Sequence, residues 1–103
     1  MQRFLSLILI LVASQPTIAD LSTTRQTELI YMLKQDCGSC HGITLKGGLG
    51  PALLPQSLIG KPKQYLVMTI LKGHTGTAMP PWESMLSQDE AAWLTDQLLQ
   101  GVN

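Results

Sequence analysis

The sequence predicts an all-α domain of three to four short helices joined by Gly/Pro loops, and three observations carry that expectation. Apolar residues recur at helical spacing in three separate stretches, strand signals are weak throughout, and glycine and proline gather between those stretches rather than within them. The 103 residues allow one domain. Seven basic against seven acidic side chains give a formal net charge of +0, with 14% charged residues. That balance removes the electrostatic footprint a phosphate backbone requires, so nucleic acid is not an expected partner. Two cysteines can form at most one disulfide, which excludes a disulfide-stapled scaffold. Aromatics make up 5% of the chain, so other side chains, or something bound, must fill the core.

The chain opens with a basic residue, Arg3, then an apolar run over 4–13 broken by Ser6, then the small-x-small site Thr17-Ile18-Ala19. An apolar run of roughly 10 residues is about half of the ~20 needed to span a bilayer. Residues 1–19 therefore read as a cleaved secretory signal peptide and 20–103 as the single domain. An exported domain this small, with so few aromatics, is expected to need a metal, a cofactor or a partner to complete its core.

The first helix is expected from an N-cap at Ser22, Thr23 or Thr24 to about Asp36, with Leu29, Met32 and Leu33 on its apolar face and Cys37 extending it. Glycines and prolines follow in close succession over 38–60, a loop long enough to wrap something. A second helix has Pro62 in its first turn and stops at Gly73, with Leu66, Val67, Ile70 and Leu71 inward. The stretch 74–82, with Gly76, Met79, Pro80 and Pro81, is irregular. The last helix opens on a capping box, Ser87 with Glu90, presents Ala91, Leu94 and Leu98 toward the first helix, and ends at Gly101. Met85, just ahead of it, is expected to pack inward.

The chemistry is concentrated in Cys37-Gly38-Ser39-Cys40-His41, a C-x-x-C-H run of the type that attaches c-type haem. Two cysteines three apart can reach the two vinyl groups of one porphyrin, and the adjacent histidine is then held against the iron. A thioredoxin-like pair belongs near a βαβ pattern that this chain lacks, a structural zinc site needs four ligands, and a Cys37–Cys40 disulfide would close too small a loop to stabilise much. For the second axial position the candidates are Met79, in a loop stiffened by Pro80-Pro81, and His74, five residues earlier. Met79 is preferred, because thioether opposite imidazole is the usual electron-transfer pair; Met32 and Met68 fall inside helices as core filling.

With those residues in place, the chain resembles the class I cytochromes c: helix, Cys37-x-x-Cys40-His41-Gly42, Gly/Pro loop, middle helix, the Met79-Pro80 loop, terminal helix. More narrowly, Gly47-Gly48-Leu49-Gly50-Pro51 and Met79-Pro80-Pro81-Trp82 look like the small NirC-type cytochromes c of denitrification gene clusters. The resemblance implies a small class I cytochrome c fold wrapped around one covalently attached haem c, with Cys37 and Cys40 as attachment points and His41 and Met79 as axial iron ligands. It also implies that the Pro51 carbonyl receives the His41 ring N–H, and that Trp82 either walls the pocket or joins the core. The function implied is that of a periplasmic, monomeric electron carrier, not an enzyme and not membrane-bound after signal cleavage. Its implied partner is the nitrite reductase carrying haem c and haem d, with an accessory role in maturing that reductase as the alternative. Lys46, Lys61, Lys63 and Lys72 are too few, and too well balanced by acids, to form a strongly basic docking ring.

Overall fold

The Ser22 side chain, on extended backbone, accepts the Arg25 N–H at 3.1 Å and starts α1, Thr23–Met32. In the computed structural model, which describes residues 10–13 and 21–102, this helix does not stop near Asp36. It widens into one π-helical turn, Leu33–Cys37, closed by the Gly38 N–H on the Leu33 carbonyl, then tightens into α2, Gly38–His41. The sequence reading placed 38–60 wholly in loop, and the structure corrects it. Gly38 and Gly42 look like breakers, but only Gly42 acts as one, at φ 89°. A π turn adds a residue to the helical register and leaves no mark in hydrophobic spacing. The signal peptide expected over 1–19 lies outside the described residues apart from 10–13. Among the described residues no helix is long and apolar enough to cross a membrane.

From Gly42 the chain runs irregularly to α3, Pro55–Leu58, a single turn with proline at its start. What pins this loop is Leu45, 4% exposed and yet at φ 60°. A left-handed conformation costs a leucine roughly 1–2 kcal/mol, while burying its side chain gains about 1.5–3, so burial wins. α4, Lys63–Lys72, follows with Pro62 as its N-cap, one position ahead of the first turn expected from sequence. α5, Gln88–Gln100, carries both halves of the capping box: Ser87 Oγ accepts the Glu90 N–H at 3.1 Å, and a Glu90 carboxylate oxygen accepts the Ser87 N–H at 2.9 Å.

The described residues form no strand, and the core is aliphatic. Val67 and Leu71 of α4 and Ala91, Leu94 and Leu98 of α5 are buried in one cluster with Leu29 and Leu33. The last helix makes its most extensive contact with α4 and a lesser one with α1, the reverse of the weight expected from sequence. Met85, expected to pack inward, is 57% exposed; its neighbour Leu86, at 5%, takes that place. The reason is position, since Leu86 directly precedes the N-cap and meets Ala91 in the first turn as a hydrophobic staple.

An ion pair adds to the apolar contact between α1 and α5. Arg25 donates to Glu90 through Nε and to Glu28 at 3.0 Å through Nη1. The Arg25 guanidinium, followed by the Ser87 backbone N–H, holds the Glu90 carboxyl below the usual carboxylate range. A depressed folded-state value means that the contribution is complete at neutral pH and is lost on acidification below the ordinary glutamate value, ~4.3. Glu90→Ala should therefore cost about 1 kcal/mol in urea unfolding of the holoprotein at pH 7, and the gap from wild type should close as the pH falls below ~4.

Candidate functional site

Between the α1–α2 helix, the 42–54 loop, α4 and the 74–82 loop lies one cavity of about 950 Å³. Its walls follow from the helices that make them. The apolar residues of α4 form two stripes rather than one: Val67 and Leu71 are buried in the core, while Leu66 and Ile70 line the cavity. The pairs Leu66-Val67 and Ile70-Leu71 were the sequence signal for this, a face too wide for one helical partner. Trp82 lines the cavity and also packs on the core cluster. Its position is fixed by its own N–H on the Ile70 carbonyl at 3.0 Å.

All five residues singled out in the sequence, Cys37, Cys40, His41, Pro51 and Met79, lie on this lining, and so does His74. Cys37 and Cys40 are free thiols three residues apart, the first ending the π turn and the second in α2. Burial first, and then the Asp36 carboxylate, pushes the Cys37 thiol up to about 11. A dithiol oxidoreductase needs a thiolate near neutral pH, so this environment runs against that chemistry. Among the described residues no three His, Cys, Asp or Glu side chains converge as a metal site, which leaves structural zinc without its ligands.

His41 ends α2, and its Nδ1 lies 2.7 Å from the Pro51 carbonyl oxygen. A carbonyl only accepts, so Nδ1 carries the proton and Nε2 keeps its lone pair. The ring is also packed by an absence. A Cβ on Gly50 would stand 2.9 Å from His41 Cε1 and Nδ1, so the glycine lets the backbone press against the imidazole face. Sequence reasoning missed this role because many glycines crowd the segment and spacing does not rank them.

On the other side Met79 is half-buried in a loop held by local bonds. Thr77 Oγ1 donates to the His74 carbonyl at 2.7 Å and accepts the Met79 N–H at 3.3 Å, and the His74 N–H reaches the Met79 carbonyl at 3.3 Å. Gly73, at φ 74°, passes so close that a Cβ there would stand 2.7 Å from the Met79 oxygen. His74 is exposed and shares the lining with Met79.

A helical domain that folds a C-x-x-C-H run and a methionine loop onto one apolar cavity has the architecture of a c-type cytochrome. The model of the family described as "Cytochrome C oxidase, cbb3-type, subunit III" matches residues 24–96. Cytochrome c55X of Pseudomonas aeruginosa is 50% identical over 100 residues, covering 95% of this chain and 84% of that protein. The solved structure of the c-type cytochrome NirC aligns with a TM-score of 0.77 at 54% identity, over 79% of this chain and 95% of that one. The structure titled dihydro-heme d1 dehydrogenase NirN in complex with DHE aligns at a TM-score of 0.66 and 33% identity, over 71% of this chain but 16% of that one. The chain belongs to the cytochrome c family, among small NirC-like electron carriers that are not enzymes.

The close fit of Gly50 gives a direct check. Gly50→Ala should push the His41 ring off the Pro51 carbonyl, and the slowly exchanging Nδ1–H resonance in the proton NMR spectrum should shift or vanish, with helix content retained.

Proposed function

We propose that this chain is a periplasmic monohaem cytochrome that carries single electrons in denitrification, delivering them to the nitrite reductase that holds haem c and haem d. The observation that supports this reading most is the convergence of Cys37, Cys40, His41 and Met79 on one cavity of about 950 Å³. That volume falls in the ~300–1,000 Å³ range of cofactor clefts, and the donor set fits the group. The Cys37 and Cys40 S–H groups can add across the two vinyl groups of one porphyrin, an addition that needs neither oxidant nor leaving group. His41 Nε2 and Met79 Sδ would be the two side-chain donors to the iron. When bound, haem c supplies a one-electron iron couple.

The chain's own residues determine how that couple behaves. Pro51 holds the His41 proton on Nδ1, which fixes the tautomer and strengthens Nε2 as a donor. The Met79 thioether favours the reduced iron and raises the potential. Leu66, Ile70 and Trp82 would exclude water from a group held in the cavity. Two side-chain donors would leave no place for a small substrate, which suits a carrier. Residues 1–19 act as the secretory signal and are removed on export, so the mature protein should have the mass of 20–103 plus one haem.

A second reading has one observation in its favour. NirN, a dihydro-haem d1 dehydrogenase by title, contains a unit resembling this chain. On that reading the chain is an accessory haem protein in the maturation of the reductase, exchanging electrons with haem-d-forming proteins. Stopped-flow mixing of the reduced protein with oxidised nitrite reductase separates the two; transfer too slow to sustain turnover would remove the donor role.

The ligand set is tested by mutation. Cys37→Ala with Cys40→Ala should abolish the haem-stained band that survives denaturing electrophoresis. Met79→Ala should lower the reduction potential and remove the weak long-wavelength band of a sulfur–iron bond; an unchanged spectrum would transfer the role to His74.

A further inference from the structure

The cavity lining contains one lysine or arginine among the described residues, Lys61. The other cations that face partners do so elsewhere: Lys63 bonds Asp96 at 2.7 Å, Lys72 bonds Glu83, and Arg25 bonds Glu28 and Glu90. Lys61 stands exposed just ahead of α4, with its ammonium 6.0 Å from the centre of the Tyr65 ring. Tyr65 lines the cavity too. At that distance the ring attracts the cation and keeps it at the cavity rim, without neutralising it.

A haem c brings two propionate carboxylates into whatever site it occupies, and a carboxylate drawn toward an apolar interior costs several kcal/mol unless it is paired. The lining already holds one carboxylate, Asp36, next in sequence to Cys37. A haem attached at Cys37 and Cys40 would have its vinyl substituents at that wall, beside Asp36. Its propionates would then lie away from Asp36, and Lys61 is the one lysine or arginine on the described lining available to pair with them.

We propose that Lys61, held at the rim by Tyr65, is the charge partner of a haem propionate and through it raises the reduction potential of the iron. This rests on the haem reading above. The oxidised iron carries one more positive charge than the reduced, so an unpaired carboxylate nearby favours oxidation and a paired one does not. Lys61 is thus a positioning and tuning residue rather than an iron ligand.

Potentiometric titration of haem-loaded wild type, Lys61→Gln, Lys61→Arg and Lys63→Gln tests the proposal, with the covalent haem content of each fixed beforehand by its pyridine haemochrome spectrum. The expected result is a lower midpoint potential for Lys61→Gln, a wild-type value for Lys61→Arg, and a wild-type value for Lys63→Gln, whose charge is already paired with Asp96. Equal midpoints for wild type and Lys61→Gln would overturn the pairing, as would an equal fall in Lys63→Gln, which would mark a general effect of surface charge. Both failures leave the haem reading standing. Wild-type protein without covalent haem would overturn that reading, and this one with it.

Discussion

An apolar cavity of about 950 Å³ is the constraint around which the rest of this chain is arranged. A protein of 103 residues with 5% aromatics has little side-chain volume for a continuous core, and it divides what it has. Leu29, Val67 and Leu71 belong to the core alone, Leu33, Leu94 and Leu98 are buried in that core and also reach the cavity lining, and the half-buried Leu66, Ile70 and Trp82 line the open space. Each long helix therefore serves two surfaces. The α4–α5 contact forms the core, and Leu66 and Ile70 of α4 with Leu94 and Leu98 of α5 carry it through to the cavity wall. A filled cavity turns both sides into interior, which explains how so small a chain can afford so wide an apolar surface.

How far the sequence shows this depends on the kind of interaction. The capping box at Ser87 and Glu90 was legible because it is local: two side chains and two backbone N–H groups within four residues. The stop at Gly73 was legible for the same reason. The π turn over Leu33–Cys37 was not, because its single displaced hydrogen bond changes register without changing composition. Nor was the choice between Met85 and Leu86, neighbours of similar hydropathy separated only by the direction in which the chain enters α5. The site divides in the same way. Cys37, Cys40 and His41 stand in one contiguous motif, whereas Gly50 and Lys61 act through contacts with residues elsewhere in the chain, and spacing carries no record of such contacts.

Charge is used sparingly and mostly in pairs. Lys63 with Asp96 and Lys72 with Glu83 are exposed, and such pairs contribute ~0–1 kcal/mol each, so they are not what holds the fold; Arg25 with the less exposed Glu90 is the third pair. Their effect is on the field around the molecule. Cations bound to carboxylates project little at a distance, and at physiological salt the remainder is screened within ~8 Å. A partner meeting this chain encounters shape and apolar contact before charge, which is consistent with the exposed Leu49 at the cavity margin, 87% accessible. Long-range steering is weak for such a surface, and association depends on ordinary collision rates.

The two sides of the cavity differ in how firmly their donors are held. His41 is the last residue of a helical segment continuous from Thr23, its ring is bonded to Pro51 at 2.7 Å, and Gly50 packs against its face. Three independent restraints act on one imidazole. Met79 has loop geometry instead: a 3.3 Å bond to Thr77, a 3.3 Å bond between its carbonyl and His74, and the close passage of Gly73. Both hydrogen bonds are made by the Met79 backbone and lie at the long end of the hydrogen-bond range. Local opening should therefore begin on the Met79 side, where His74 already shares the lining, while the His41 side stays closed until the α1–α2 helix itself unfolds.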